Sequence, residues 1–226
     1  MASSEGTRRH PARPRARYTV DALASTPGTR LARRASSVRS LFMLRNTERS
    51  WGAPAKLLHW AVAALVLAQI VLGWAAVSWR LSPTKLDLFV LHKSTGMLVL
   101  ALMVLRVAWR SANVAPSLPA DMRPAERLAA HLSHLLLYLL LLVMPIAGWI
   151  ITSASNIPFR MFWLIPIPAI TEPNEAVADV AARMHFALFV VLSLLLAVHI
   201  GAALRHHFLN RDDVLVRMLP GRGSSE

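Results

Sequence analysis

Four stretches of this chain are long and apolar enough to cross a lipid bilayer, and nothing else in the sequence constrains its fold as strongly. They run roughly Leu57–Trp79, Leu91–Trp109, Leu132–Thr152 and Met184–Leu204, and Leu, Val and Ala dominate all four. A helix of about 20 residues spans the hydrocarbon layer. Lipid offers the main chain no hydrogen-bond partners, so each stretch must satisfy its N–H and C=O groups internally, as a helix. The expected fold class is an all-α membrane protein, a bundle of four transmembrane helices.

Composition narrows the chemistry. The chain has no cysteine. Disulfides, thiolate metal sites, Cys-ligated iron–sulfur clusters and covalently attached haem are therefore excluded. The formal net charge is +13. In a membrane protein such an excess fixes topology, and no nucleic-acid partner is inferred from it. With the N-terminus in the cytoplasm, the inner segments hold twenty Lys and Arg. Twelve lie in residues 1–56, and the rest are Arg106, Arg110, Arg123, Arg127, Arg205, Arg211, Arg217 and Arg222. The outer segments hold five: Arg80, Lys85, Lys93, Arg160 and Arg183. Both termini are expected inside, and the preference survives without the nine in residues 1–42.

Residues 1–50 differ from the rest. Arg, Ala, Ser and Pro fill "RRHPARPRARYT" and "RLARRASSVRS", which cannot build a core, so this segment reads as a basic, disordered extension. "SLFML" is too short for a secretory signal, and Met43 would be a natural start. Residues 51–220 form the membrane domain and 221–226 a short tail. The connection between the second and third spans is polar and punctuated by Pro. The longer one, Ser153 to Arg183, contains "NIPFRMFWLIPIP", too broken to span and suited to the membrane interface. "EPNEAVADVAARMH" then reads as a helix start leading into the fourth span.

The polar residues inside the spans follow a ruler. His185 and His199 are fourteen residues apart in the fourth span. Fourteen residues of α-helix advance about 21 Å and make nearly four whole turns, so both rings share one face, one towards each side of the bilayer. The same spacing pairs His59 with Gly73, His92 with Arg106 and His134 with Gly148. Two levels result. The outer one collects Gly73, His92, Gly148 and His185, and the inner one His59, Arg106, His134 and His199. Polar rings at depth in lipid point to function. Imidazoles at two stacked levels fit axial ligands of two b-type haems. At the outer level only His92 and His185 are available. At the inner level His59, His134 and His199 compete for two places. Gly73 and Gly148 would let a porphyrin approach the backbone, or serve ordinary helix packing. Arg106 would meet a propionate, or snorkel to the headgroups. His131 and His134 have an ordinary reading as interfacial residues, and His206 and His207 as part of the charged tail.

"KLLHWAVAALV", "LHKSTGMLVLALMVLRVAWR", "AAHLSHLLLYLLLLVMPIAGW" and the His185–His199 helix ending in "RHHFLNRDDVLVRMLP" resemble the bacterial cytochrome b561 family, in particular its small stand-alone di-haem members that act as superoxide oxidases. The resemblance covers about Trp51 to Pro220. It implies two haem b groups in a four-helix bundle. His59 and His199 would hold the inner haem iron and His92 and His185 the outer one, which sets His134 aside. It further implies superoxide as electron donor on the periplasmic side, ubiquinone as acceptor, and an inner-membrane location. Lys93 and Arg183 flank the outer histidines and could steer an anion there, although Asp87, Glu172, Glu175 and Asp179 lie on the same side. No Asp or Glu falls inside the four spans, which argues against a proton relay. A second expectation is a haem-bearing membrane anchor that passes electrons between a dehydrogenase or hydrogenase partner and quinone. A third, non-redox, is a bundle whose histidines bind only one another.

Overall fold

The computed structural model of the chain describes residues 44–48, 50–119 and 122–220. Four helices, α1 (Ala53–Ser78), α2 (Pro83–Ser111), α3 (Pro124–Ala154) and α4 (Glu175–Arg205), are each long and apolar enough to cross a membrane. Each extends beyond the apolar stretch that predicts it, because its ends carry their own start signals. Pro stands in the first turn of α1, α2 and α3, where the missing N–H has no partner to lose. Ser82 and Asn174 cap α2 and α4 by accepting from the N–H of Lys85 and Val177. "EAVADVAARMH" belongs to α4 itself, which runs unbroken from Glu175. The expected extension through residue 50 and tail from 221 fall largely on residues 1–43, 49 and 221–226, which lie outside the described residues.

The helices pack in sequence order, α1 on α2, α2 on α3 and α3 on α4, while the α4 backbone approaches α1 and α2 only weakly. The interior between α4 and the first two helices is therefore left for side chains. Leu, Val, Trp and Phe residues such as Leu67, Trp74, Leu139 and Phe186 are exposed along the outer faces, as lipid-facing positions should be. The best-buried cluster is small: Val62, Val66, Val99 and Met103, with Leu141 and Leu196 against it.

Both ends of the bundle are closed by irregular segments. At one end the α3–α4 connection forms a β-hairpin, β1 (Phe159–Met161) and β2 (Ile165–Ile167), antiparallel with Met161 opposite Ile165. Its turn places Phe162 and Trp163 at φ 49° and 61°, a left-handed conformation that ordinary side chains seldom adopt. It is held there from outside: the fully buried Ser94 Oγ of α2 accepts from the Phe162 N–H at 2.7 Å, and Arg160 donates to the Trp163 and Leu164 carbonyls.

At the opposite end, where the described residues begin and end and which is called the termini side below, three segments knit together. Asn46 donates to the Val114 carbonyl and accepts from the Gly52 N–H, both at 2.9 Å, so Asn46 ties the segment before α1 to the bundle. After α4 a π-helical turn, His206–Asn210, precedes Arg211 at φ 56° and a 3-10 turn, Val216–Met218. His206 pairs with Asp212, and Arg217 pairs with Asp213 and donates to the Ser117 carbonyl. Trp60 and Lys56 of α1 donate to the Met218 and Leu219 carbonyls. His206 is thus part of this closure rather than of a free tail.

Candidate functional site

The two levels expected from the fourteen-residue spacing appear as two pairs of facing rings. On the hairpin side, His92 of α2 faces His185 of α4 with ring centroids 6.4 Å apart. On the termini side, His59 of α1 faces His199 of α4 at 6.5 Å. Each pair spans the gap where α4 stands away from α1 and α2.

These separations have a chemical meaning. A transition-metal–imidazole bond is about 2.0–2.1 Å and a ring centroid lies about 1.1 Å behind its nitrogen, so imidazoles on opposite sides of one metal have centroids about 6.3 Å apart. Both pairs match that figure. His134 stands 5.5 Å from His199, closer than two such ligands could sit. Among the described residues no three His, Cys, Asp or Glu side chains converge as ligands for a free ion. A metal held by either pair would take its remaining ligands from a cofactor, and a planar tetrapyrrole supplies four. The residues present therefore fit a bis-histidine haem at each level.

The hairpin-side rings are seated on glycines. A Cβ added at Gly73 would lie 3.0 Å from Cε1 of His92, and one at Gly148 would lie 3.4 Å from Cε1 of His185. The absent side chains make room for the imidazoles themselves, where the sequence points to the porphyrin. Nδ1 of His185 lies 3.1 Å from the Met144 carbonyl, four residues before Gly148. A carbonyl only accepts, so this nitrogen carries the proton and Nε2 keeps the lone pair that a metal needs.

The termini-side pair borders a cavity of about 220 Å³, lined by His59, His134, His199, Arg106, Arg110 and Tyr138 among mostly apolar residues. Arg106 does not snorkel outward. Its Nε donates to Tyr138 Oη at 3.1 Å, and its buried Nη1 has no partner among the described residues. Arg110 lies over the rings of Trp51 and Tyr138. His131 is exposed and bonds the Arg127 carbonyl one turn back, and His207 meets the Phe208 ring edge to face.

An apolar tier lies midway between the levels, with the buried Ser193 hydroxyl next to it and Gln69 and Thr95 nearer the hairpin-side level. Val66, Val99, Leu141 and Leu192 each stand seven residues, about 10 Å, from both positions of their own helix. Val66, Val99 and Leu192 are buried there.

The two expected steering cations are placed differently from each other. Lys93 lies beneath the hairpin with Nζ 5.9 Å from the Phe159 ring centre. Arg183 is exposed, and two residues before His185 puts it about 200° round the helix, away from the ring. Sequence reasoning missed Gln69, Thr95 and Ser94. The one signal was an amide and two hydroxyls within otherwise apolar spans.

The comparisons with known proteins point to one family. A family model described as prokaryotic cytochrome b561 matches residues 50–221. Cytochrome b561 homolog 2 of Escherichia coli strain K12 is 36% identical over 186 residues, 80% of this chain and 96% of that protein. The probable superoxide oxidase CybB of Yersinia pestis is 28% identical, over 72% of this chain and 92% of its own. Cytochrome b562 of Cereibacter sphaeroides is 29% identical, over 73% and 92%. With four membrane-spanning helices and a family match over nearly all of its described length, the chain belongs to the prokaryotic cytochrome b561 family, inner-membrane electron carriers that hold b-type haem.

Proposed function

We propose that this protein carries electrons across the inner membrane between two haem b sites, from superoxide on the periplasmic side to ubiquinone. The observation that carries the reading is the pair of matched ring separations, 6.4 and 6.5 Å, at levels fourteen residues apart along α4. His92 and His185 ligate the periplasmic haem iron, and His59 and His199 the cytoplasmic one. Haem b, when bound, supplies reversible one-electron chemistry, while the protein holds and tunes it.

The chain's own residues do the rest. His185 is held in the ligating tautomer by the Met144 carbonyl. Arg106 offers its free Nη1 to a propionate on the cytoplasmic side. The hairpin covers the periplasmic site and is clasped at Ser94, two residues from His92. Lys93, half-buried between His92 and the hairpin, adds positive potential where an anion would arrive. Arg183 contributes at most to the longer-range field. Two superoxide anions each give up one electron and become O2 for each ubiquinone reduced. Ubiquinone takes up two protons on the cytoplasmic side, since no Asp or Glu stands within the four apolar stretches to relay them across. Support for this donor is the name of the Yersinia pestis relative, at 28% identity.

A second reading, a haem-bearing anchor for a dehydrogenase or hydrogenase subunit, is favoured by one feature. The hairpin tip exposes Trp163, Leu164 and Ile165. Co-purification of a metalloenzyme subunit in mild detergent would select it.

The test is a haem count on the purified protein, then reduction by superoxide with and without ubiquinone. Two haems per chain are expected, falling to one in His185→Ala and staying at two in His134→Ala. Full haem content in His185→Ala would sink the ligand assignment. Intact haem that superoxide fails to reduce would sink the donor alone.

A further inference from the structure

Gln69 has no part in the scheme above, yet its amide is the most fully bonded polar group in the middle of α1. Its Nε2 donates to the main-chain carbonyl of His92 at 3.0 Å, and its Oε1 accepts from the Thr95 hydroxyl at 2.7 Å. These bonds fix which end of the amide is which. Reversed, the amide would set Oε1 against the His92 carbonyl, acceptor against acceptor. Thr95 also lies 2.8 Å from the Leu91 carbonyl, but its single hydroxyl hydrogen is best spent on the shorter contact. The wall of α2 is cut away to admit the amide: a Cβ at Gly96 would stand 2.9 Å from Nε2. In lipid an unsatisfied amide costs several kcal/mol, so α1 and α2 are held together at this point.

What Gln69 grips is the main chain of the residue that carries the ring. One turn along α1 from it, Gly73 receives the ring itself, with Cε1 and Nδ1 of His92 at 3.0 and 3.4 Å from the missing Cβ. The two contacts lie four residues apart on one face of α1 and hold His92 from its carbonyl and from its imidazole. The partner ring is held in another way. His185 also sits over a glycine, but its Nδ1 bonds the carbonyl four residues earlier, that of Met144. The equivalent carbonyl for His92 is that of Gln69 itself, which the ring approaches without the geometry of a full hydrogen bond. The side-chain grip stands beside this weaker ring contact.

We propose that Gln69, braced by Thr95, is a positioning residue that sets the depth and ring orientation of His92. The inference rests on the reading of His92 as a haem ligand. Its consequence is confined to one site, because no comparable clamp reaches His59 or His199 among the described residues.

The test uses the purified holoprotein and three variants, Gln69→Leu, Thr95→Val and Thr95→Ser. The readouts are haem content, the ferric low-spin electron paramagnetic resonance signal of each haem, and a redox titration that separates the two midpoints. The signal of a bis-imidazole haem depends on the angle between its ring planes, so a turned His92 moves it. His92→Ala identifies which signal belongs to this site. Gln69→Leu and Thr95→Val are expected to keep both haems, to shift the signal and midpoint of the His92 haem, and to leave the other haem as in wild type. Thr95→Ser keeps the hydroxyl and is expected to match wild type. Wild-type signals in Gln69→Leu, or equal shifts in Thr95→Ser and Thr95→Val, would overturn the proposal. If Gln69→Leu does not accumulate, the two Thr95 variants decide. Failure of the ligand reading would show separately, as two haems retained in His92→Ala.

Discussion

Two glycines mark how finely the hairpin-side histidines are seated. At Gly73 an added Cβ would stand 3.0 Å from the His92 ring, close enough that the ring must give by a few tenths of an ångström, while at Gly148 the clearance to His185 is 3.4 Å. Gly73→Ala is therefore expected to push His92 off its seat, an overpacking cost of about 1–3 kcal/mol. Its haem should be lost on heating or dilution well before that of wild type. Gly148→Ala should behave nearly as wild type in the same absorbance assay. Equal loss in both would show that the glycines act only through helix packing. The histidines were legible in the sequence because a polar ring in lipid needs a reason and helical periodicity carries its position over fourteen residues. The choice between His134 and His59 was not legible from spacing, since both fall at one level. Their rings stand 5.5 and 6.5 Å from that of His199, and the proposed assignment to His59 takes up the second separation. Gln69 was not legible either: a single amide in an apolar run has no periodic partner, and its bonds go to another helix.

At the scale of elements, the helices could be read directly and the caps at both ends could not. Apolar length and first-turn prolines announce a helix, but "PFRMFWLIPIP" announces no hairpin. Its strands are three residues each, and its turn puts Phe and Trp where Gly or Asn would be expected. The turn exists because tertiary contacts hold it, chiefly Ser94. Ser94→Ala leaves the Phe162 N–H without its partner, a cost of about 1–3 kcal/mol if it stays buried. Proteolysis within residues 159–167 of the detergent-solubilised protein is expected to quicken several-fold while the four helices stay intact. An unchanged cleavage rate would mean that the hairpin is held by apolar contact alone. The closure at the opposite end was also hidden, because it depends on carbonyls: those of Val114, Ser117, Met218 and Leu219.

For the whole molecule, the charge pattern predicts an orientation that a bundle by itself does not reveal. The chain has no cysteine, so a single introduced one reports cleanly. Ser155→Cys, at the hairpin end, should react with an impermeant thiol reagent added to intact spheroplasts. Ser111→Cys, at the termini end, should react only after lysis, and the reverse pattern would invert the molecule. Orientation then gives the apolar layer at Val66, Val99, Leu141 and Leu192 an electrical meaning. An electron passed from the hairpin side to the termini side moves about 21 Å of the membrane's thickness. In the proposed scheme the quinone takes its protons from the cytoplasmic side, so none accompanies the electron. Under the proposed direction each turnover moves net negative charge inward, against an interior already negative, and a full crossing costs about 2.3 kcal/mol per 100 mV. The molecule then behaves as a current source working into a charged capacitor. In sealed vesicles with donor outside and quinone present, its turnover should slow as voltage builds and recover when a potassium ionophore discharges it.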